Sequence, residues 1–304
     1  MKIGVIGMGR VGTSVAVSLL HQGVVRELLV NDMKPEFAEG EALDLAHGAA
    51  FYPSALIRVA GVEDMLDCDA VVIAAGRNGR ADETRLDLLR DNARVIGELA
   101  RRLATLRGLL VIVSNPVDVL TQIAVEESGL PPARVLGTGT LLDTARLRHA
   151  VGRELAIDPR SVHAQVLGEH GDTEVVAWSS ANVGGVALRR WPSWTAEREA
   201  AIATEVRRAA YEIIRRKGAT NHAIGLATAG VLRWALRDER RVITVSRIQD
   251  GVAGITGTAL SLPAIVGRNG AVEVIAPELD DAERAALARS ADTLRAARAS
   301  LRVT

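Results

Sequence analysis

The stretch that most limits how this chain can fold is an apolar run over Lys2–Ile6 that breaks into Gly7-Met8-Gly9-Arg10-Val11-Gly12. Apolar positions at Val15, Leu19 and Leu20 then recur at helical spacing up to a stop at Gly23. The pattern reads as strand, tight turn and helix. In such a unit the first glycine permits the turn and the second lets the main chain approach a pyrophosphate. The third lets helix pack on strand, and the helix N-terminus faces the phosphates. The spacing alone also occurs in ordinary glycine-rich turns. Here a second strand over residues 27–30 runs up to Asp32, twenty residues beyond Gly12, where a carboxylate can accept hydrogen bonds from a ribose diol and repel a 2′-phosphate. A dinucleotide site follows, for NAD in preference to NADP.

The same alternation continues down the chain. A polar helix is predicted over Pro35–His47, strands over 57–60 and 70–75, a long helix over 84–106, and strands over 109–113 and 134–137. Strands alternating with helices predict an α/β fold, a doubly wound parallel sheet of the Rossmann type. A second, α+β substrate domain is predicted beyond it, with residues 1–140 forming the nucleotide-binding domain and 141–304 the catalytic one. In that second part a helix over 195–217 carries Ile202, Val206, Ala209, Ala210, Ile213 and Ile214 on one face, as core or subunit interface. Strands are read near 242–246, 257–262 and 272–275, and a last amphipathic helix over 277–301.

Composition narrows the function classes. Lys plus Arg and Asp plus Glu balance at 37 each, so no global field draws in nucleic acid or an anionic membrane. The lone cysteine, Cys68, allows no internal disulfide and no cysteine-rich metal site, which fits a reducing, cytoplasmic setting. Neither a signal-peptide pattern nor an apolar run of membrane-spanning length is read in the sequence, and no metal site is expected.

Candidate chemistry lies where predicted strands end. Residues 162–172 read as a buried strand passing into the polar turn Gly168-Glu169-His170-Gly171-Asp172. His170 stands there with glycines on either side, and an imidazole backed by a carboxylate is a general acid and base near neutral pH; a solvated loop histidine is the plain alternative. Loop 76–85 carries three arginines, Arg77, Arg80 and Arg85, at the carboxyl end of a parallel strand, where a lid can enclose an anion. In Ser114-Asn115-Pro116-Val117-Asp118, Asn115 offers an amide to a substrate oxygen or a nicotinamide, or marks a simple turn. In residues 137–148, Asp143 and Arg146 share a helix face. They form a surface ion pair or, separately, Asp143 accepts the far N–H of His170 while Arg146 forks onto a substrate carboxylate.

With the glycine motif and Asp32, Glu83-Thr84-Arg85, Ser114-Asn115-Pro116, Leu142-Asp143-Thr144-Ala145-Arg146 and Gly168-Glu169-His170-Gly171-Asp172 in this order, the chain resembles the lactate and malate dehydrogenase family. The likeness extends through Ala177-Trp178-Ser179-Ser180, Lys217-Gly218-Ala219-Thr220 and residues 261–267, nearly the whole length. It implies hydride transfer between NAD and the C2 carbon of a 2-hydroxy or 2-keto acid, with His170 exchanging the hydroxyl proton and Asp143 fixing its tautomer. It also implies that Arg146 grips the carboxylate, Arg85 polarises the carbonyl after lid closure, and Asn115 helps orient the substrate beside a cis peptide before Pro116. Gly7, Gly9, Val11, Gly12, Asp32, Gly76, Asn115 and Thr138 are the implied cofactor-binding residues, and Gly79, Asn115 and Thr220 the implied substrate-binding ones.

One departure bears on the substrate. The lid position at which the family's lactate enzymes carry Gln and malate enzymes Arg is Gly79 here. A glycine cannot neutralise the second carboxylate of oxaloacetate, unless Arg77 or Arg80 does so, and it leaves room for larger side chains. Glu83-Thr84-Arg85 and Thr220 follow the lactate branch, so L-lactate dehydrogenase is the leading reading. Malate dehydrogenase and a relaxed-specificity 2-keto acid reductase stand behind it. Asn221-His222 replaces the usual aromatic pair, with His222 either a pocket contact or a helix-surface residue. Arg148 and His163 fall where bacterial members bind fructose 1,6-bisphosphate between subunits, which implies allosteric activation, and the lactate branch implies a homotetramer. A non-catalytic NAD sensor on the same fold and an NAD-dependent glycosidase are the competing classes. Intact His170, Asp143, Arg85 and Arg146 oppose the first; the second needs a metal site, commonly including Cys, and a longer second lobe, whereas Cys68 lies in the nucleotide lobe just before a strand.

Overall fold

A computed structural model of the chain describes residues 1–77 and 86–301, together with the backbone of Arg85. The first half alternates β1 (Lys2–Ile6), α1 (Arg10–His21), β2 (Glu27–Asn31), α2 (Pro35–His47), β3 (Leu56–Val59) and β4 (Ala70–Ile73). It continues with α3 (Arg85–Arg102), β5 (Leu109–Ile112), α4 (Val117–Ser128), β6 (Val135–Gly137) and α5 (Leu141–Leu155). The six strands are parallel in the order 3-2-1-4-5-6, the doubly wound arrangement whose crevice opens where the order reverses, between β1 and β4. Both β4 and β5 are buried at every residue, as strands covered on two faces by helices must be. Val15, Ala16, Leu19 and Leu20 bury the inner stripe of α1, each larger side chain contributing about 1.5–3 kcal/mol.

Beyond α5 come β7 (Val162–His163), β8 (Val166–Leu167), β9 (Val175–Val176), β10 (Asn182–Val183) and β11 (Val186–Ala187), all short. Then follow α6 (Ala196–Lys217), α7 (His222–Leu236), β12 (Arg241–Asp250), β13 (Thr256–Gly267), β14 (Gly270–Val274) and α8 (Asp281–Ser300). Of the antiparallel strands, β7, β10 and β11 form a small three-stranded sheet and β8 and β9 a two-stranded one, but β12, β13 and β14 do not form a separate sheet. β12 pairs with β6 at Ser246 and Gly137, so β12, β13 and β14 extend the parallel sheet to nine strands. β12 runs ten residues instead of the predicted five because Arg247 and Gln249, polar enough to suggest a loop, find main-chain acceptors inside the sheet.

Two helices differ from expectation in instructive ways. The apolar face of α6 is buried only in its first half, at Ile202 and Val206, while Ile213 and Ile214 stand at the surface. The start of α8 is set by Asp280, whose side chain accepts from the Glu283 N–H while Glu283 returns the bond to the Asp280 N–H. This reciprocal cap fixes the first turn four residues later than the apolar pattern suggests. Among the described residues, no helix is long and apolar enough to cross a membrane.

Candidate active site

The nucleotide crevice presents main chain at its glycine turn. Gly7 leaves β1 with φ +92°, a conformation favouring glycine, and a Cβ on Gly12 would lie 1.9 Å from the Gly7 carbonyl oxygen. A Cβ on Gly9, the N-cap of α1, would meet nothing within 4 Å. So Gly12 is a packing requirement, whereas Gly9 keeps open the approach to a helix N-terminus that no side chain caps. Asp32 closes one end, accepting from the Met8 N–H (2.9 Å) and the Lys34 N–H (3.0 Å) and lining a cavity of about 630 Å³ with Gly7, Gly9 and Gly76. Uncapped amide donors beside an acid suited to a ribose fit a dinucleotide.

The adjoining cleft, about 570 Å³, contains the chemistry. Val11, Gly76, Asn115, Asp143, Arg146 and His170 all line it. The elements that carry them are tied together by a short set of hydrogen bonds. At the N-terminus of α5, Thr140 Oγ1 donates to the Val166 carbonyl (2.5 Å) and Thr144 Oγ1 accepts from the Val166 N–H (2.9 Å). Gly168 and Ser261 on β13 exchange main-chain bonds of 2.9 and 3.0 Å. This clamp fixes the turn carrying His170 over the first turn of α5. Gly168 has φ +85° and a Cβ there would meet Ser290 Oγ at 2.6 Å. Its smallness therefore serves packing against α8 rather than clearance for a ligand.

His170 Nδ1 donates to Asp143 Oδ2 at 2.6 Å, while Arg146 Nη1 donates to Asp143 Oδ1 at 2.7 Å. Asp143 thus accepts the far N–H of His170, as the second of the two sequence alternatives expects, and its pairing with Arg146 is an additional, buried contact and not a surface one. Asp143 is buried, and one carboxylate holds both cations because it has two oxygens and α5 presents Arg146 one turn away. Burial disfavours the charged imidazole, but the charge and hydrogen bond of Asp143 and the charge of Asp118 outweigh it, raising the His170 pKa to about 9. Burial likewise opposes ionisation of Asp143, and the His170 and Arg146 cations overcome it, so its pKa is lowered. About a quarter of the His170 side chain remains accessible, toward the cleft. A charged imidazole facing a cavity beside a guanidinium can donate a proton to a bound anion.

Other predicted residues lie elsewhere. The Asn115–Pro116 peptide is cis, as the resemblance implies. Arg77 is engaged with Asp91 at 2.8 Å. Gly79, Arg80 and the Glu83-Thr84 pair lie outside the described residues, and Arg85 begins α3. Thr138, buried, donates its N–H to the Ile112 carbonyl and lines neither cavity, and Thr220 lines neither as well. His222 lines a separate groove of about 610 Å³ with Val17, Phe37 and Leu226. Arg148 donates from Nε to the Ala164 carbonyl (3.1 Å), next to the exposed His163.

Three participants carried no sequence signal strong enough to single them out. Buried Asn92, on α3, accepts from the Arg77 N–H and donates to the Asn115 carbonyl (2.9 Å), joining two strand exits. Glu174 is buried in the cleft with Oε1 unbonded, and burial, then Asp143, push its pKa up to about 8. Asp118 accepts the His170 N–H at 2.7 Å. The position of Asp118 in the first turn of a helix after Pro116 was its only signal.

Comparison with known proteins agrees with this geometry. Residues 1–137 match the lactate/malate dehydrogenase NAD binding domain and residues 140–301 the alpha/beta C-terminal domain of the same family. An L-lactate dehydrogenase of Thermus aquaticus is 44% identical over 99% of both chains, and one of Synechococcus sp. (strain JA-3-3Ab) 42% identical over 97% of both. The crystal structure of a minor L-lactate dehydrogenase from Enterococcus mundtii in a ligands-bound form superposes with a TM-score of 0.97 at 39% identity, covering 100% of this chain and 99% of that one. The chain belongs to the lactate/malate dehydrogenase family, and its first 137 residues are that family's NAD-binding domain.

Proposed function

We propose that the chain is an NAD-dependent L-lactate dehydrogenase, converting pyruvate, NADH and a proton to L-lactate and NAD. The observation that carries the reading is the Asp143-linked His170, opening beside Arg146 into the cleft that adjoins the nucleotide crevice. NAD, when bound, would be held at its phosphates by the main chain of Gly7 and Gly9, in the turn that Gly12 lets close, and at its ribose by Asp32, and would supply the hydride. His170 Nε2 gives its proton to the oxygen that was the carbonyl of pyruvate, and takes it back in the reverse direction. Asp143 keeps Nδ1 protonated so that Nε2 is the exchanging atom, and stabilises the imidazolium before transfer. Arg146 grips the substrate carboxylate by a two-point fork that lysine cannot reproduce. Arg85, at the start of α3, is assigned to the carbonyl oxygen, where one donor to a developing alkoxide contributes about 10²–10³-fold. Asn115 orients the substrate, and Thr220 is assigned to its side-chain end.

The substrate assignment rests on the relatives named above, all L-lactate dehydrogenases, and on Gly79, which offers no charge to a second carboxylate. The test is kcat/KM with NADH for pyruvate, oxaloacetate and 2-ketoisocaproate. The expected order puts pyruvate first; oxaloacetate first would make the chain a malate enzyme and 2-ketoisocaproate first a bulky-substrate reductase.

The reading extends to a cytoplasmic, fermentative homotetramer activated by fructose 1,6-bisphosphate through Arg148 and His163. Burial lowers the Arg148 pKa, the unfavourable situation that a phosphate partner would relieve. The groove at Val17, Phe37 and Leu226 is the face assigned to a second copy of the chain. Light scattering with and without the sugar phosphate tests both: a monomer indifferent to it contradicts the assignment.

A further inference from the structure

The backbone of His170 has a partner as specific as its ring. Asp118, the second residue of α4, accepts the His170 N–H at Oδ2 (2.7 Å) and is 2% exposed. Its other oxygen, Oδ1, is buried without a well-formed hydrogen bond, and the hydroxyl of Ser246 on β12, likewise unpaired, is the group placed to supply one. A carboxylate whose work is only to cap a turn gains nothing from being charged and buried, since an amide would accept the same bond without the desolvation cost. Asp143 sits equivalently, in the first turn of α5. Two successive helices thus aim buried acids at one histidine, each at an N-terminus that favours negative charge.

We propose that Asp118 is the second carboxylate of the proton-transfer site, a positioning residue that holds the His170 main chain and adds its charge to that of Asp143 in keeping the imidazole protonated. This rests on the reading of His170 as proton donor. The groups facing His170 are Asp143 and Arg146 on α5, Asp118 on α4, and Glu174 just beyond its own turn. Arg207 of α6 acts on Glu174. Those facing Asp118 are His170, Glu169 and the Ser246 hydroxyl. Burial pushes Asp118 up to about 6, with Ser246, the His170 N–H and the imidazolium opposing it. Asp118 is therefore ionised together with protonated His170 between about pH 6 and about pH 9. Arg146, of like charge to the imidazolium, pulls the other way, which gives a second acid something to offset.

The substitution Asp118→Asn keeps an acceptor oxygen and the volume while removing the charge. The experiment follows the His170 imidazole by NMR in protein labelled with ¹⁵N-histidine, with His170→Asn identifying its signal among six histidines, alongside the pH profile of kcat/KM for pyruvate. The titration midpoint is expected to fall by about one pH unit in Asp118→Asn, with the alkaline limb of the rate profile following it and the KM for NADH unchanged. Ser246→Ala, which withdraws a group favouring the charged form of Asp118, leaves Asp118 ionised at the His170 midpoint near 9 and is expected to keep that midpoint, while moving upward the inflection near pH 6 that ionisation of Asp118 imposes on the His170 signals. This second variant answers the question even if Asp118→Asn does not fold. A His170 midpoint unmoved in Asp118→Asn, or His170 signals without an inflection near pH 6 that Ser246→Ala displaces, overturns the proposal, whatever happens to Tm. Because the NMR titration needs no turnover, it stands apart from the catalytic reading, which fails separately if His170→Asn retains full activity.

Discussion

At Gly7, Gly9 and Gly12 the chain presents main chain, and the features that matter are a φ of +92°, an open approach and a 1.9 Å conflict awaiting any Cβ. At His170 the working atoms belong to side chains, and their positions depend on α4, α5, β8, β13 and α8 meeting at one turn. The nucleotide crevice is a local solution, written within about thirty residues from β1 to Asp32. The proton-transfer site is a tertiary one, with partners 27 and 52 residues from His170. Damage should therefore separate: changes in the crevice should act on cofactor binding or folding, and changes around His170 on protonation and rate.

The largest effect is expected at His170 itself. Replacement by Asn should lower kcat for pyruvate reduction by about 10⁴-fold, the upper end for a positioned acid–base group, while NADH fluorescence titration shows binding retained. Loss of NADH binding in this variant would erase the separation between the two regions. Next is Gly12→Ala, where the new methyl meets the Gly7 carbonyl. It should cost about 1–3 kcal/mol or more by denaturant unfolding, whereas Gly9→Ala, directed into open space, should leave the unfolding midpoint in place and raise the KM for NADH. Equal instability in both would mean that the crevice glycines all serve packing. The smallest effect is expected for Asp32→Ser, which should leave kcat nearly unchanged and narrow the preference for NADH over NADPH, read as the ratio of the two kcat/KM values; an unchanged ratio would remove Asp32 from ribose recognition.

This division also explains what could be read from the residues alone. The parallel, doubly wound sheet was legible because glycine spacing, apolar runs and helix lengths are all local. His170, Asp143 and Arg146 were legible as residues, through the resemblance of their motifs, but the single carboxylate serving both cations was not. Spacing along α5 cannot say that β8 is clamped to Thr140 and Thr144. Asp118, Asn92 and Glu174 stayed silent because an acid or amide near a helix start is ordinarily solvated, and only the packed structure shows that water is excluded from them. The joining of the hairpin β12–β13 to the parallel sheet was not legible, because its single bridge to β6, at Ser246 and Gly137, has no sequence signature.

The central claim is that a buried Asp143 holds His170 protonated for transfer into the cleft. The most direct test is the pH dependence of kcat/KM for pyruvate in the wild-type protein and Asp143→Asn. A pKa raised from 6.5 to about 9 keeps the donor form below that pH and loses it above. The wild-type profile should thus hold to about pH 9 and then fall tenfold per unit. In Asp143→Asn, where desolvation remains and the opposing charge is gone, the limb should move down by about two units. A wild-type limb centred at the ordinary histidine value, or one that stays in place when Asp143 is neutralised, would contradict the account.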